Sequence, residues 1–328
     1  WEKEANGSGP FKLDRWRDDE IIVLSKNSDY YKPSGNVAQI IYKLDSGLPL
    51  AEFEQGEIDI VGIGESAIER VRDPDDPLTG TIFTEPSLCT TFIGLNNALP
   101  PFDDVRVRQA FNYALDKQRL VNGLYAGSAL AASGVLPPGM PGAMAHDVYP
   151  YDPDRARALL REANFDTSQP LVFTAAGYSD VSATPTAVIS LWEEVLRVQI
   201  EVQLIEPFLY SAEIYAGNTG NFFSYGWCAD YLDPENFLSI LFSSDSAQNW
   251  GRYNNPTVDS LLITASSEAD VNKRMALYAE IEAQIVADAP YTFLAHSVSS
   301  ILVNPRIENY AFTPIGIPQW QRVTLNDN

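Results

Sequence analysis

The sequence predicts an α/β fold, and three observations support this. A strand–helix–strand pattern runs over residues 171–207, from "LVFTAAG" through "TAVISLWEEVLRVQI" to "EVQLIEP", as in a layer of helices packed on a sheet. Strand-like apolar runs and helix-like periodicities also recur along the rest of the chain. Hydrophobic residues make up 45% and charged residues 20% of the 328 residues, a globular composition with enough length for two domains.

The first ninety or so residues predict strands separated by turns. A short helix is expected at the start of "AEFEQGEIDIVGIG" (residues 51–64), with a stop at Gly56 and a strand after it. The clearest strands are "IIVLSKN" (residues 21–27), "AQIIYKL" (residues 38–44) and "TTFIGLNN" (residues 90–97).

Helices dominate the next part. Apolar residues recur at helical spacing in residues 100–127, which predicts one helix that Asp103 or Asp104 caps and Gly123 or Gly127 ends. A rigid loop, "GVLPPGMPG", follows. In "YDPDRARALLREAN" (residues 151–164), Asp152 and Pro153 have the order of a helix cap and a first-turn proline.

The last third of the chain predicts two helices and a long strand. The helices lie in residues 255–290, and the strand is "YTFLAHSVSSILVN" (residues 291–304). Apolar residues alternate at Val298, Ile301 and Val303, which fits a crossing strand. We therefore expect residues 297–310 to return the chain to the part built by residues 1–88.

Charge and hydropathy exclude several functions. Forty-four acidic against 22 basic residues give a net charge of −22, which repels nucleic acid and anionic lipid. No run of about 18 apolar residues predicts a membrane span. The chain begins at Trp1 without a basic leader or a lipobox-like cysteine. An export signal is therefore expected to have been removed or to lie outside this sequence.

Catalytic motifs are missing from the sequence. The two histidines, His146 and His296, have no metal-like spacing and are expected to be ordinary loop or strand residues. The sequence contains no G-x-S-x-G elbow, and "GIGES" lacks the third glycine of a phosphate loop. Acid pairs such as Asp103 and Asp104 are common on solvated faces. The sequence thus predicts no enzyme, no metal site and no cofactor.

One segment, "YGWCADYLDPENF" (residues 225–237), has the composition of a binding site. Aromatic residues next to Asp230 suit an amine-bearing ligand, because a partly desolvated carboxylate can hold an ammonium by about 1.5–3 kcal/mol. A structural alternative is that Asp230 caps a turn or helix.

The two cysteines, Cys89 and Cys228, are either free thiols or one long-range disulfide in an oxidising compartment.

Several motifs together resemble a known family. In chain order they are "GSGPFKLDRW", "KNSDYY", "EFEQGEIDIV", "LNNALPPFDDVRVRQAFNYALDKQRLVNGLYAG", "LPPGMPG", "YDPDRARALLREAN", "GWCADYLDPENFL" and "RYNNPTVDSLL". The chain is similar to the extracellular solute-binding proteins of ABC importers, family 5, the peptide and nickel group, and within it to oligopeptide-binding proteins. The resemblance implies a type II periplasmic-binding-protein fold with a ligand cleft between lobes.

The resemblance also implies a domain organisation. Residues 1–88 and 299–328 correspond to part of lobe I, and residues 89–298 to lobe III, which binds ligand. The motif "GSGPF" stands much deeper inside family members than its position here, at residues 7–11. We therefore expect an N-terminal segment and a small second domain, roughly two hundred residues, to be missing from this chain.

The site residues follow from the same resemblance. Asp230 is expected to pair with the α-ammonium of a peptide. Gly226, Trp227 and Cys228, preceded by Tyr225, are expected to run beside the peptide backbone as an added strand does. Cys228 matches a cysteine that is bonded to one at the position of Cys89, with Cα atoms about 4.4–6.8 Å apart.

The function implied is that of an extracytoplasmic binding component, in the periplasm or at the outer face of the membrane, that delivers peptides to a permease. A lipid anchor on the parent protein is compatible with this.

One departure from the family is that "YAGNTGNFFSY" (residues 215–225) contains no basic residue to meet a ligand carboxylate. Either the carboxylate is met elsewhere, or the ligand is not a short free peptide. An oligosaccharide stacked on Trp192, Trp227 and Trp250 is an alternative ligand. A hydrolase and a structural or sensory domain are the alternatives from other classes.

Overall fold

A computed structural model describes residues 7–45, 47–71, 73–313 and 315–326. The chain divides into two compact units, one formed by Trp1–Glu85 with Ser299–Asn328 and the other by Pro86–Val298. The strands are β1 (Phe11–Arg17), β2 (Ile21–Lys26), β3 (Gln39–Lys43), β4 (Ile60–Gly62), β5 (Ile82–Leu95), β6 (Ala129–Ala131), β7 (Pro170–Ala176), β8 (Gln199–Ile205), β9 (Phe222–Cys228), β10 (Tyr291–Val303), β11 (Ile307–Glu308) and β12 (Thr324–Leu325). The helices are α1 (Pro49–Glu54), α2 (Glu65–Val71), α3 (Val105–Tyr113), α4 (Lys117–Leu124), α5 (Pro153–Glu162), α6 (Ala183–Leu196), α7 (Pro207–Ala216), α8 (Glu235–Phe242), α9 (Pro256–Ser267) and α10 (Val271–Asp288).

In the first unit, β1, β2 and β3 form an antiparallel sheet. The C-terminal segment packs on this unit, since the Asn36 side chain donates to the Leu325 carbonyl at 2.9 Å and accepts from its N–H at 2.7 Å. The end of β10 also pairs with β4, with Leu302 opposite Val61. These contacts confirm the predicted return of the chain to the part built by residues 1–88.

The second unit is built on a mixed sheet with the strand order β10-β5-β9-β7-β8 and with β6 paired to β10. The predicted strand–helix–strand unit is present, because β7 and β8 are parallel and α6 connects them. The core packs on this sheet around aromatic side chains: Phe111 lies 4.9 Å from Trp192, and Trp192 lies 5.5 Å from Phe222, between ring centroids.

Two predicted helices differ in their bounds. The single helix expected over residues 100–127 is two helices, because Asp104 caps α3 by accepting from Arg106 N–H and Asp116 caps α4 by accepting from Arg119 N–H. The helix expected over residues 186–200 ends at Leu196, since Arg197 takes a left-handed conformation with φ 59°. Helices α2, α7 and α8 were not predicted from the sequence.

Within the described residues, no helix is both long and apolar enough to cross a bilayer. The same residues contain no cluster of three or more His, Cys, Asp or Glu side chains arranged to hold a metal ion. His296 lies on β10 and His146 lies in the loop before α5, in the kinds of position expected for them.

Candidate functional site

Strand β9 has two different edges. On one side it pairs with β5 along its whole length, from Leu95 opposite Phe222 to Cys89 opposite Cys228. On the other side it pairs with β7 only at Phe222 and Phe223. Beyond Phe223, among the described residues, no strand pairs with that second edge, which we call the open edge (residues 224–228).

The ladder register determines which main-chain groups face the open edge. Ala229 N–H donates to the Leu88 carbonyl at 2.8 Å. Because alternate residues of an antiparallel strand turn both polar groups toward the partner strand, Tyr225 and Trp227 face β5. Gly226 and Cys228 therefore direct their N–H and C=O groups to the open edge, where both residues are exposed.

Tyr210 of α7 closes one end of the open edge. Its hydroxyl donates to the Ser224 carbonyl at 2.6 Å and lies 3.1 Å from the Thr174 carbonyl of β7. Its side chain is buried, and burial raises the pKa of the phenol, so the hydroxyl stays protonated and able to donate. Tyr210 thus fills the fork where β7 and β9 separate.

Asp230 lies at the other end, just beyond β9, and is exposed. Asn236, which is 1% exposed, accepts from Asp230 N–H at 2.9 Å and donates to the Asp230 carboxylate at 3.4 Å. In the part of the chain that the structure describes, no lysine or arginine forms an ion pair with Asp230. The proposed capping role is not observed, because Asp233 accepts the first-turn bond of α8 from Glu235 N–H at 3.1 Å.

Aromatic side chains cover the face of β9 that Tyr225 and Trp227 share. The Trp250 ring lies 4.5 Å from Tyr225, 6.0 Å from Trp227 and 5.2 Å from Tyr215, between centroids. Asn236 also accepts from the Trp227 indole N–H at 3.3 Å. Burial first, then Tyr225 and the Asp230 carboxylate, raise the pKa of the Tyr215 hydroxyl. The aromatic side chains on this face and the Asp230 carboxylate therefore lie near each other.

The predicted disulfide between Cys89 and Cys228 is present. The two Cα atoms are 4.0 Å apart, closer than expected, because the cysteines face each other across the β5–β9 ladder at a pair without mutual hydrogen bonds, where strands approach most closely. The bond attaches the end of the open edge to β5.

The tryptophans suggested for sugar stacking are mostly inaccessible. Trp192 is fully buried and donates its indole N–H to the Phe111 carbonyl at 2.9 Å, so it is a core residue. Trp250 is only 2% exposed. Of the three, Trp227 alone is half-buried rather than buried. A sugar-stacking surface built on all three tryptophans is therefore wrong.

Sequence reasoning missed Asn236 and Tyr210. Asn236 was within the segment singled out for binding, but nothing in its type or spacing indicates that it holds Asp230 and Trp227. Tyr210 lies in a helix that was not predicted.

An open strand edge beside an exposed carboxylate is the kind of site at which a ligand-binding protein takes up an extended ligand. More specifically, the chain belongs to the Bacterial extracellular solute-binding proteins, family 5 Middle, whose family model matches residues 1–249. The family resemblance predicted from the motifs is thereby confirmed, and the family is one of solute-binding proteins rather than enzymes.

Individual relatives agree with this assignment. The periplasmic oligopeptide-binding protein OppA of Salmonella typhimurium is 30% identical over 94% of this chain and 59% of its own length. A probable di/tripeptide-binding protein 5 of Pseudomonas aeruginosa is 28% identical over 97% of this chain and 61% of its own length. The solved structure of HbpA2 from Haemophilus parasuis has a TM-score of 0.82 at 25% identity, over 97% of this chain and 63% of that one. The predicted fold is confirmed, and the chain spans about 60% of the curated relatives' length.

Proposed function

We propose that this chain binds the backbone and the amino terminus of a peptide, as part of the extracytoplasmic binding component of an ABC importer. The observation that carries the proposal is the open edge of β9, which ends beside Asp230. Gly226 and Cys228 offer their main-chain groups there, and Asp230 is an exposed carboxylate with no cationic partner among the described residues.

An added peptide strand would be recognised mainly through its backbone. Gly226 and Cys228 would exchange N–H···O=C bonds with the ligand, and such bonds select for an extended backbone rather than for particular side chains. Asp230 would accept from the α-ammonium, with Asn236 fixing the position of Asp230 through the bond to its backbone N–H. Tyr225 and Trp227 would support the strand from the aromatic face.

Family membership supports an extracytoplasmic location for this binding. The family is described as extracellular, and OppA of Salmonella typhimurium is named periplasmic. The disulfide also suits an oxidising compartment. We therefore propose the periplasm, or the outer face of the cell membrane, as its location and a membrane permease as its partner.

Fluorine NMR of the 5-fluorotryptophan-labelled chain tests the proposal. Titration with trialanine amide at millimolar concentration is expected to shift the Trp227 resonance, assigned through Trp227→Phe. N-acetyl-trialanine amide is expected to bind about two- to fivefold more weakly, because an exposed ion pair contributes up to about 1 kcal/mol.

The control separates Asp230 from general charge. Asp230→Asn should remove the preference for the free amine, whereas Asp245→Asn, at an exposed aspartate, should keep it. If acetylation and Asp230→Asn both leave binding unchanged, the amine-anchor hypothesis is wrong and an uncharged ligand such as an oligosaccharide is favoured.

A further inference from the structure

We infer that the open edge of β9 pairs with only three consecutive ligand residues, and that Tyr210 is the residue that sets this limit. The inference rests on the proposed function and makes it more specific: the ligands would be peptides with a free amino terminus whose first three residues carry the main-chain recognition.

The closed end of the edge is built into the fold. Beyond Ser224 toward the start of β9, β7 occupies the edge through Phe173 opposite Phe222 and Thr174 opposite Phe223. The Ser224 carbonyl faces the same way as those of Gly226 and Cys228, but the Tyr210 hydroxyl already occupies it at 2.6 Å. The ring of Tyr210 is buried in the fork. The carbonyl has a second lone pair, but the Tyr210 hydroxyl, which also lies 3.1 Å from the Thr174 carbonyl, stands where a ligand N–H would approach Ser224.

The position of Asp230 sets the ligand's direction. If the ammonium lies at Asp230, the peptide runs from Cys228 toward Ser224, antiparallel to β9. Because β9 ends at Cys228, the amino-terminal ligand residue lies opposite Cys228. In an antiparallel ladder, pairing positions recur every second residue, so ligand residue 3 lies opposite Gly226 and ligand residue 5 would lie opposite Ser224.

In this register, the ligand's main-chain groups do not all form hydrogen bonds to β9. The N–H and C=O of residue 3 would both bond to Gly226, whereas the N–H of residue 2 would point away from β9. The N–H of residue 5 would find its approach to the Ser224 carbonyl blocked by the Tyr210 hydroxyl. Residues after the third add length without adding bonds to this strand, so peptides longer than three residues would bind no more tightly at the open edge.

The first test is a length series of alanine peptide amides, from two to six residues, measured by the same fluorine NMR titration. Amidation removes the carboxylate from the comparison. Affinity is expected to rise about two- to tenfold from the dipeptide amide to the tripeptide amide and then to remain constant. This is the range for one net hydrogen bond, because the terminal amide of the dipeptide already supplies the N–H at position 3 and only the carbonyl of residue 3 is added. A steady rise to six residues overturns the three-residue limit while leaving peptide binding intact.

The second test is N-methylation of tetraalanine amide. A methyl group on the nitrogen of residue 3 should weaken binding about two- to tenfold, whereas methylation at residue 2 or residue 4 should change it little. Equal effects at residues 2 and 3 overturn the register. If no peptide binds, or if acetylation has no effect, the proposed function and this inference both fail.

The third test addresses Tyr210 itself. Tyr210→Ala opens the fork and frees the Ser224 carbonyl, so pentaalanine amide should bind more tightly than trialanine amide. Tyr210→Phe keeps the ring in place and should keep the constant affinity beyond three residues. If Tyr210→Ala folds and the length dependence is unchanged, Tyr210 does not set the limit. If Tyr210→Ala does not fold, the length series and methylation tests still decide the three-residue register.

Discussion

At the scale of single residues, His296 is a buried group whose ionisation the fold opposes. It is 5% exposed, and its Nδ1 lies 2.9 Å from the Thr90 hydroxyl. Burial, and secondly the charge of Lys117, lower the pKa of His296 from 6.5 to about 4. Because the folded pKa lies below the unfolded value, the unfolded chain binds the proton more readily between these values, and stability falls as the pH drops through that window.

We expect this group to remove about 3 kcal/mol of unfolding free energy between pH 7 and pH 4. Urea unfolding at four pH values gives the unfolding free energy of the natural chain and of His296→Gln. Because both chains contain the same carboxylates, the difference between the two pH profiles reports on His296 alone. The variant should lose less stability on acidification than the natural chain. Parallel pH profiles would contradict the assignment to His296.

Asn236 provides a second prediction at this scale. It is the acceptor for Asp230 N–H and for the Trp227 indole. Asn236→Ala leaves the Asp230 N–H and the Trp227 indole N–H without this acceptor, at an expected cost of about 1–3 kcal/mol in unfolding free energy. Asn236→Asp keeps the acceptor but puts a second carboxylate beside Asp230. The Trp227 fluorine resonance should move in Asn236→Ala, and an unmoved resonance with unchanged stability would argue against the positioning role.

How far the site could be predicted from sequence depends on whether a family motif includes both residues of a contact. The cysteine pair could be assigned from the family motifs. The roles of Asp230, Gly226, Trp227 and Tyr225 in binding come from the same motifs and stay predictions. Tyr210 could not be found in this way, because its bond to Ser224 joins residues 14 apart on different elements. A bond of that kind leaves no periodicity or spacing in the sequence.

At the scale of secondary-structure elements, α10 holds the loop over residues 134–142. Glu282 on this helix is fully buried and accepts from the N–H groups of Val135 and Leu136, both at 2.9 Å. Its other carboxylate oxygen lies 3.2 Å from the His146 Nε2, and no hydrogen bond joins these two atoms. One side chain thus satisfies two buried donors of a loop that has no regular structure of its own.

We predict that Glu282→Ala destabilises the second unit by about 2–4 kcal/mol, because two buried N–H groups lose their acceptor and a cavity remains. Glu282→Gln, which keeps one oxygen, should cost less. Urea unfolding gives the free energies, and limited proteolysis should cut the loop over residues 134–142 faster in Glu282→Ala only. Equal cleavage of both variants would argue against the acceptor role.

Elements with a clear apolar pattern could be predicted, and those without one could not. The runs that became β2, β3, β7 and β10 have continuous or alternating apolar residues. Helix α7 differs, because Tyr210 and Ile214 are its buried residues while Phe208 and Leu209 are exposed. Apolar side chains on both faces conceal the helical period from the sequence. The break between α3 and α4 was missed because apolar residues continue across it.

At the scale of the whole molecule, family motifs predicted the fold class, since they fix many elements at once. The strand bounds alone would not separate this fold from other α/β proteins. Two compact units follow from the chain's path, which leaves the first unit within β5 and returns within β10. Their correspondence to lobes I and III stays a prediction.

The Cys89–Cys228 bond lies wholly inside the second unit and closes a loop with a sequence separation of 139. Restricting the unfolded chain to such a loop stabilises the folded state by up to about 5 kcal/mol in the chain-entropy model. Replacement of both cysteines by serine should therefore lower the unfolding free energy of the second unit by about 2–5 kcal/mol.

In the serine variant, hydrogen exchange should report faster opening of β5 and β9, while β1–β3 of the first unit exchange as before. Reduction of the natural chain with dithiothreitol should reproduce the loss, and the serine variant should be insensitive to it. Equal exchange in β5 and β9 with and without the bond would mean that the strand ladder alone determines their stability.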